Sequence, residues 1–307
     1  MKPIDVVILT EKRYANPVET NAYIDNVLLE DKLVKEALEK EELNVKRLAW
    51  DDAYFDWNTT KYVLFRTTWD YFDRFSEFSS WLTEVGQKTI LLNSAKIIHW
   101  NIDKHYLHDL STAGIEIVPT YFMEKGDTRT LSELHTALGW EQTVLKPCVS
   151  GAARHTYKLN LDTIHKHEIL YKNLISEEAM MLQPFMNQIV TKGEISLIVI
   201  NGTYTHAILK KAKAGDFRVQ DDFGGSVYEY NPSLAEIDFA ENAVKACIEL
   251  PIYARVDIIW DNDDQLAISE IELIEPELWF RHNNDAATQL AKGIVKKLET
   301  KSFTFKI

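Results

Sequence analysis

Ala254-Arg255-Val256-Asp257-Ile258-Ile259, followed across Asn262-Asp263-Asp264 by Ile268-Ser269-Glu270-Ile271-Glu272-Leu273-Ile274-Glu275-Pro276, reads as a β-hairpin with strands over residues 253–260 and 266–274. Side chains alternate between the faces of a strand, so Glu270 and Glu272 share a face. A turn near Asn262-Asp263 sets Asp257 roughly opposite Glu270 on the partner strand. Three carboxylates at cross-strand distance repel one another unless a cation sits among them. Hard oxygen ligands select Mg²⁺ or Mn²⁺, ions that also bind substrate phosphates. A solvated polar sheet face is the alternative, and the apolar neighbours Val256, Ile258, Ile259, Leu273 and Ile274 weigh against it.

Upstream, a second hairpin is expected at 195–200 and 203–209, turning at Asn201-Gly202. A long helix over about 233–250 separates the two hairpins, and a last helix covers about 285–298. The start of the chain reads differently. Short apolar runs at 5–9, 62–65 and 89–92 look like buried strands, with helical stripes at 31–40 and 76–85 between them and Gly86 as a stop. That β-α-β order favours a small parallel sheet flanked by helices. Asn101 is expected to cap a helix running to Leu110, and Thr130-Leu131-Ser132-Glu133 fits a capping box. The class is therefore α/β, turning to α+β in the C-terminal part. Approximate units are 1–100, 101–185 and 186–307.

Composition narrows the partners. The 307 residues carry 34 basic and 47 acidic side chains, a net charge of −13, which opposes the phosphate attraction that dominates nucleic-acid binding. No run approaches the ~18 apolar residues of a membrane span, so no membrane partner is expected. Two cysteines, Cys148 and Cys247, are too few for a disulfide framework, and the cytoplasm is the expected compartment. Phosphate-loop, dinucleotide, zinc-protease and nucleophile-elbow motifs are missing.

Three further segments carry charge or backbone chemistry. In 144–156, a strand delivers Lys146 into the small-residue run Ser150-Gly151-Ala152-Ala153, whose N–H groups suit phosphate oxygens; a plain surface turn is the alternative. Lys210, Lys211, Lys213 and Arg218 form a basic island, leading to Phe223-Gly224-Gly225, in an acidic chain. Five of the 11 glycines fall between Gly193 and Gly225, as close backbone approach to a ligand would require. Finally, Phe65-Arg66-Thr67-Thr68-Trp69-Asp70-Tyr71 ends a strand, where α/β sheets present ligand sites. Arg66 is a candidate fork for a substrate carboxylate and Asp70 for an amino group beside Trp69, against a packing cluster with a capping Asp70.

In this order, Asn101-Ile102-Asp103-Lys104, Val144-Leu145-Lys146-Pro147, Leu182-Gln183-Pro184-Phe185, Gly193-Glu194-Ile195-Ser196, Lys210 to Gly225, and Asp257 with Glu270 to Pro276 resemble the ATP-grasp superfamily. The resemblance is to its glutathione-synthetase-like branch, and most closely to cycloserine-synthetase-type ligases. It implies an ATP-grasp fold with an N-terminal parallel α/β subdomain, a central lid and a C-terminal antiparallel subdomain holding the metal. By resemblance, Lys104 and Lys146 hold phosphates and Ser150, Gly151 and Ala152 belong to the closing loop. Gln183, Phe185 and Met186 meet adenine and Glu194 faces the ribose. Lys210 and Arg218 stabilise the transferred phosphate, and Asp257, Glu270 and Glu272 bind Mg²⁺ or Mn²⁺. Glu272 stands where glutathione synthetases usually have Asn, and Glu275 replaces a small residue, which points away from glutathione-type substrates.

The activity so implied is an ATP-dependent carboxylate–amine ligase using an acyl-phosphate on a small amino-acid-like or peptide-like substrate. A peptide or natural-product tailoring ligase and a non-catalytic ATP-binding regulator are the alternatives. A homodimer or homotetramer is compatible with the branch.

Overall fold

The computed structural model describes residues 2–219 and 224–304, with side chains as far as residue 298; Phe223 of the basic segment lies outside the described residues. Three sheets follow one another along the chain. The first contains β1 (Ile4–Thr10), β2 (Val45–Ala49), β3 (Thr60–Thr67) and β4 (Ile90–Leu92) in the order β2-β1-β3-β4, every pairing parallel. The second contains β5 (Tyr121–Met123), β6 (Gln142–Pro147), β7 (Tyr157–Asn160) and β8 (Met180–Pro184), ordered β5-β8-β6-β7 and antiparallel. The third runs β11-β10-β9-β12-β13, also antiparallel, from β9 (Glu194–Ile200), β10 (Thr203–Lys211), β11 (Ser226–Tyr230), β12 (Tyr253–Trp260) and β13 (Leu266–Glu272).

Local chemistry explains the decisive connections. Asn201 and Gly202 both take positive φ, 52° and 81°, the geometry of a tight type I′ hairpin between β9 and β10. All seven residues of β9 are buried, as the central strand of the third sheet must be. Each apolar side chain so placed contributes roughly 1.5–3 kcal/mol. Asp257 pairs directly with Glu270 across β12 and β13, the register expected from alternation. The capping box at Thr130 and Glu133 is present, and Ser233 with Glu236 forms another.

Some boundaries differ from expectation. Gly86 does not end its helix, which runs Phe75–Lys88. The helix after Ser233 is shorter than expected, Leu234–Lys245. Asn101 is not a helix cap either: it closes the helix Ala95–Asn101, which Ser94 caps. Its amide instead donates to the Ile271 carbonyl at 2.8 Å and accepts from Leu273 N–H at 2.8 Å, pinning the end of β13.

The hydrophobic cores fix how the layers meet. Val6, Ile8 and Leu64 of the first sheet share one core with Ile198, Ile200 and Tyr253 of the third and with Leu290 and Ile294 of the last helix. Tyr106, Leu107 and Leu110, from the helix Tyr106–Thr112, pack under the third sheet with Val256 and Ile268. The second sheet has its own core around Leu145, Tyr171 and Leu182. The first and third layers are thus joined as a base, with the second sheet as a lid. Among the described residues, no helix is long and apolar enough to cross a membrane.

Candidate active site

A cavity of about 750 Å³, a size suited to small molecules, lies where the three sheets converge. Lys104, Lys146, Ser150, Gly151, Ala152, Gln183, Phe185, Met186, Glu194, Lys210, Arg218, Asp257, Glu270, Glu272, Trp69 and Asp70 all line it. All but one of the candidate site residues read from the sequence therefore line it. The one exception among the candidates is Arg66.

Arg66 is fully buried and is not part of the cavity wall. Its Nη2 pairs with Glu30 and donates to the Pro276 carbonyl at 2.9 Å. Its guanidinium also lies 5.7 Å and 5.8 Å from the ring centres of Tyr253 and Phe280. The expected fork onto a substrate carboxylate is corrected: burial closes this arginine to ligands, and it acts as a strut between the first and third layers. Asp70 faces the cavity, but its oxygens accept from Trp50 Nε1 at 2.7 Å and Arg74 Nη1 at 2.8 Å. Trp69 donates Nε1 to the Glu275 carbonyl at 2.8 Å, which binds the N-terminal segment to the end of the carboxylate hairpin.

The end of the cavity around the small-residue loop is built from all three layers. Lys104 Nζ lies 3.0 Å from Glu270 Oε1 and 2.5 Å from the Ser150 carbonyl, so one ammonium ties β13 to the small-residue loop. Ala152, Ala153 and His155 take positive φ of 47°, 54° and 48°. That strained backbone is tightly turned, Arg154 N–H donating to the Gly151 carbonyl at 2.9 Å and Thr156 N–H to the Ala153 carbonyl at 3.2 Å. Gly151 is required there, because a Cβ would lie 2.5 Å from the buried Phe72 ring. Phe217 meets Phe185 edge-on with ring centres 5.8 Å apart, and Met186 packs with Val118 and Ile259, an apolar slot of the kind a purine fills. Gln183 donates to Thr120 Oγ1 at 2.9 Å.

The carboxylates are paired with protein cations. Asp257 accepts from Ser196, from Lys210 at 3.2 Å and from Arg255 Nη2 at 2.8 Å; Arg255 also pairs with Glu272. Lys210 pairs with Glu194 as well, and Ser269 donates to Glu194 at 2.8 Å. Among the described residues, the three acids do not gather within 4.8 Å of one another, whereas Asp103, His105 and Cys148 do. Arg255 was missed in the sequence, although its place two residues before Asp257 on the same strand face was a signal. Arg218 makes a two-pronged bond to Asp216, at 3.1 Å and 2.8 Å, on the wall.

Electrostatics separates these groups. Burial works to raise the Asp257 carboxyl, but Arg255 and Lys210 hold it down at about 2. Glu270 is lowered too, burial being outweighed by Lys104 and Lys146. Burial pushes Glu272 up to about 7 against the pull of Arg255, and burial with the charge of Glu272 pushes Glu275 up to about 8. Lys104 is raised, since Glu270 and its neighbours overcome the cost of burial. Lys146 is lowered by burial, with the Lys104 charge adding to the effect, so an anion gains most by arriving there. As oxygen donors on one polar wall, Asp257, Glu270 and Glu272 suit a hard divalent cation.

Comparison with solved structures defines the class: this is the fold of ATP-grasp ligases. The ATP-grasp ligase PsnB, complexed with minimal precursor, Mg and ADP, superposes with a TM-score of 0.60 at 16% identity, covering 96% of this chain and 98% of that one. D-cycloserine synthetase DcsG superposes with a TM-score of 0.84 at 22% identity, covering 95% of this chain and 99% of that one. In sequence, residues 6–93 match the family described as D-cycloserine synthetase DcsG, N-terminal domain. The cycloserine biosynthesis protein DcsG of Streptomyces lavendulae is 26% identical over 268 residues, which is 81% of this chain and 87% of that protein. This homology and the shared fold support an ATP-dependent amide or peptide ligase.

Proposed function

We propose that the protein is a Mg²⁺-dependent carboxylate–amine ligase that joins, or closes into a ring, a small amino-acid-like substrate. The observation that carries this reading is the Lys104 bridge, because one ammonium bonds both the acidic hairpin and the loop that would cover a nucleotide. Asp257, Glu270 and Glu272 would hold the divalent ion, which supplies charge neutralisation to the phosphate oxygens. Lys146 takes the phosphate charge that Lys104, already paired, only shares. Gln183, Phe185 and Met186 seat the adenine, with Glu194 on the ribose side.

A substrate carboxylate, or a comparable carbonyl oxygen, attacks the γ-phosphorus of ATP and ADP leaves. Arg218 and Lys210 neutralise the charge in transit, which is most of what phosphoryl transfer asks of a protein. The amine then attacks the acyl carbon, phosphate leaves, and the amine proton passes to solvent. Ser150, Gly151 and Ala152 keep water from the intermediate. The acceptor side is walled by Trp69 and by the carboxyl groups of Glu11, Asp70, Glu275 and Glu277, hydrogen-bond acceptors that suit an amino group. The size of the cavity favours a small molecule over a folded or extended peptide.

The test is ADP release with Mg²⁺-ATP against amino acids, dipeptides and O-ureidoserine, with products identified by mass. A dehydrated adduct or ring formed in step with ADP is expected. Nucleotide binding without turnover on every member would overturn the small-substrate reading and favour a peptide substrate or a regulator.

A further inference from the structure

Behind the two phosphate lysines, outside the cavity, lies a second set of ligating side chains. Asp103, His105 and Cys148 each offer one ligand atom, and all three atoms fall within 4.8 Å of one another. Tetrahedral coordination at metal–ligand distances of about 2.0–2.3 Å puts ligand atoms roughly 3.3–3.8 Å apart, so small side-chain rotations close the set. Backbone bonds already join its halves: Lys104 N–H donates to the Cys148 carbonyl at 2.9 Å, and Cys148 N–H to the Ala179 carbonyl at 2.9 Å.

The imidazole is held in place through its face and both ring nitrogens. Its ring stacks on Phe122 with centres 4.2 Å apart. Nδ1 lies 2.6 Å from Asp103 Oδ1, while Nε2 faces Glu124 Oε1 at 3.2 Å. A carboxylate on the far ring nitrogen is the usual device for fixing a metal-bound histidine. Asp103 and His105 reach solvent, and His99 and His108 line the same surface depression.

We propose that Asp103, His105 and Cys148 form a site for a borderline-soft divalent ion of the Zn²⁺ class, with solvent as the fourth ligand. Sulfur, nitrogen and oxygen donors together select zinc-like ions and disfavour Mg²⁺, the ion expected at the all-oxygen set. On binding, the Cys148 S–H bond breaks, a metal–sulfur bond forms and the proton leaves to solvent, with no change of oxidation state. Burial pushes the free thiol up, so without an ion Cys148 is a poor nucleophile. Because Asp103 precedes Lys104 and Cys148 follows Lys146 by two residues, occupancy would pin both lysine backbones together. This site stands independently of the ligase reading.

Titration of the full chain with Co²⁺ tests it without reference to turnover. One equivalent should produce a thiolate-to-cobalt charge-transfer band that excess Zn²⁺ abolishes and excess Mg²⁺ does not. His105→Ala, at a partly exposed position, should lose the band while keeping its circular dichroism; Cys148→Ser should do the same if it folds. Cys247→Ser should keep the band. Absence of a band in the natural chain, or its persistence in His105→Ala, would overturn the proposal.

Discussion

The two ends of the cavity pair their acids with protein cations alike but differ in what else lines them. At the nucleotide end, each acid meets a protein cation: Glu270 meets Lys104, Asp257 meets Arg255 and Lys210, and Glu272 meets Arg255. At the acceptor end, Glu11, Asp70 and Glu277 meet Arg13, Arg74 and Arg281, and Tyr14 and Tyr23 pack against Trp69 with ring centres 5.8 Å and 6.3 Å apart. The first end is prepared for exchange, because an incoming ion and polyanion can replace partners already present. The second is prepared for selection, because close-packed aromatic walls limit the size of what enters.

Arg66, the strut between the first and third layers, offers the largest test. Arg66→Ala strands Glu30, whose other partners are the N–H groups of Leu278 at 2.8 Å and Phe280 at 3.4 Å. Breaking a buried pair from one side costs about 3–5 kcal/mol. Chemical unfolding should show that loss, while KM for the amine substrate in the folded fraction stays near the natural value. A large KM change with little loss of stability would return Arg66 to the substrate site and break the comparison.

Next in size is Glu270→Ala, which removes a proposed metal donor and the partner of Lys104 together. The rate of ADP release should fall by on the order of 10²–10³-fold, the range for losing one preorganised charge-stabilising group. Thermal melts should show a folded protein. Near-natural turnover would mean that the nucleotide end is structural.

Lys146→Ala is a finer probe of the same end. ATP binding should weaken by about 1.5–3 kcal/mol, the scale of a hydrogen bond to a charged group. Calorimetry with a non-hydrolysable ATP analogue measures it. Lys104→Ala should disturb the loop as well as the affinity, because that ammonium also holds the Ser150 carbonyl. If the two variants behave alike, the distinction between a paired and an unpaired lysine fails.

What the sequence disclosed follows from the range of each interaction. Alternation and turn chemistry are local, so the register of Asp257 against Glu270 and the Asn201-Gly202 turn were readable from a few residues. β2 was missed because its charged Lys46 and Arg47 interrupt an already short apolar run. Asn101 was misread as a cap because its real partners, Ile271 and Leu273, are distant in sequence. Arg66 was misplaced for the same reason: its burial depends on Glu30, Tyr253 and Pro276, brought in from other layers. Residues carried by short motifs were read onto the cavity wall; the end around Trp69, made by packing between layers, was not legible.

Trp69→Phe carries the smallest expected effect and bears most directly on the acceptor end. Phenylalanine keeps an aromatic wall against Tyr14 and Tyr23 but lacks the indole N–H that bonds the Glu275 carbonyl. Losing that bond should cost about 1 kcal/mol, several-fold in KM for the amine substrate. KM for ATP should hold, since Trp69 is not among the residues proposed to seat adenine and phosphate. Trp69→Ala removes the wall too and should raise the same KM further, again sparing ATP. If both variants change the two KM values equally, Trp69 fixes the closure of the layers rather than the choice of substrate, and the two ends of the cavity act as one.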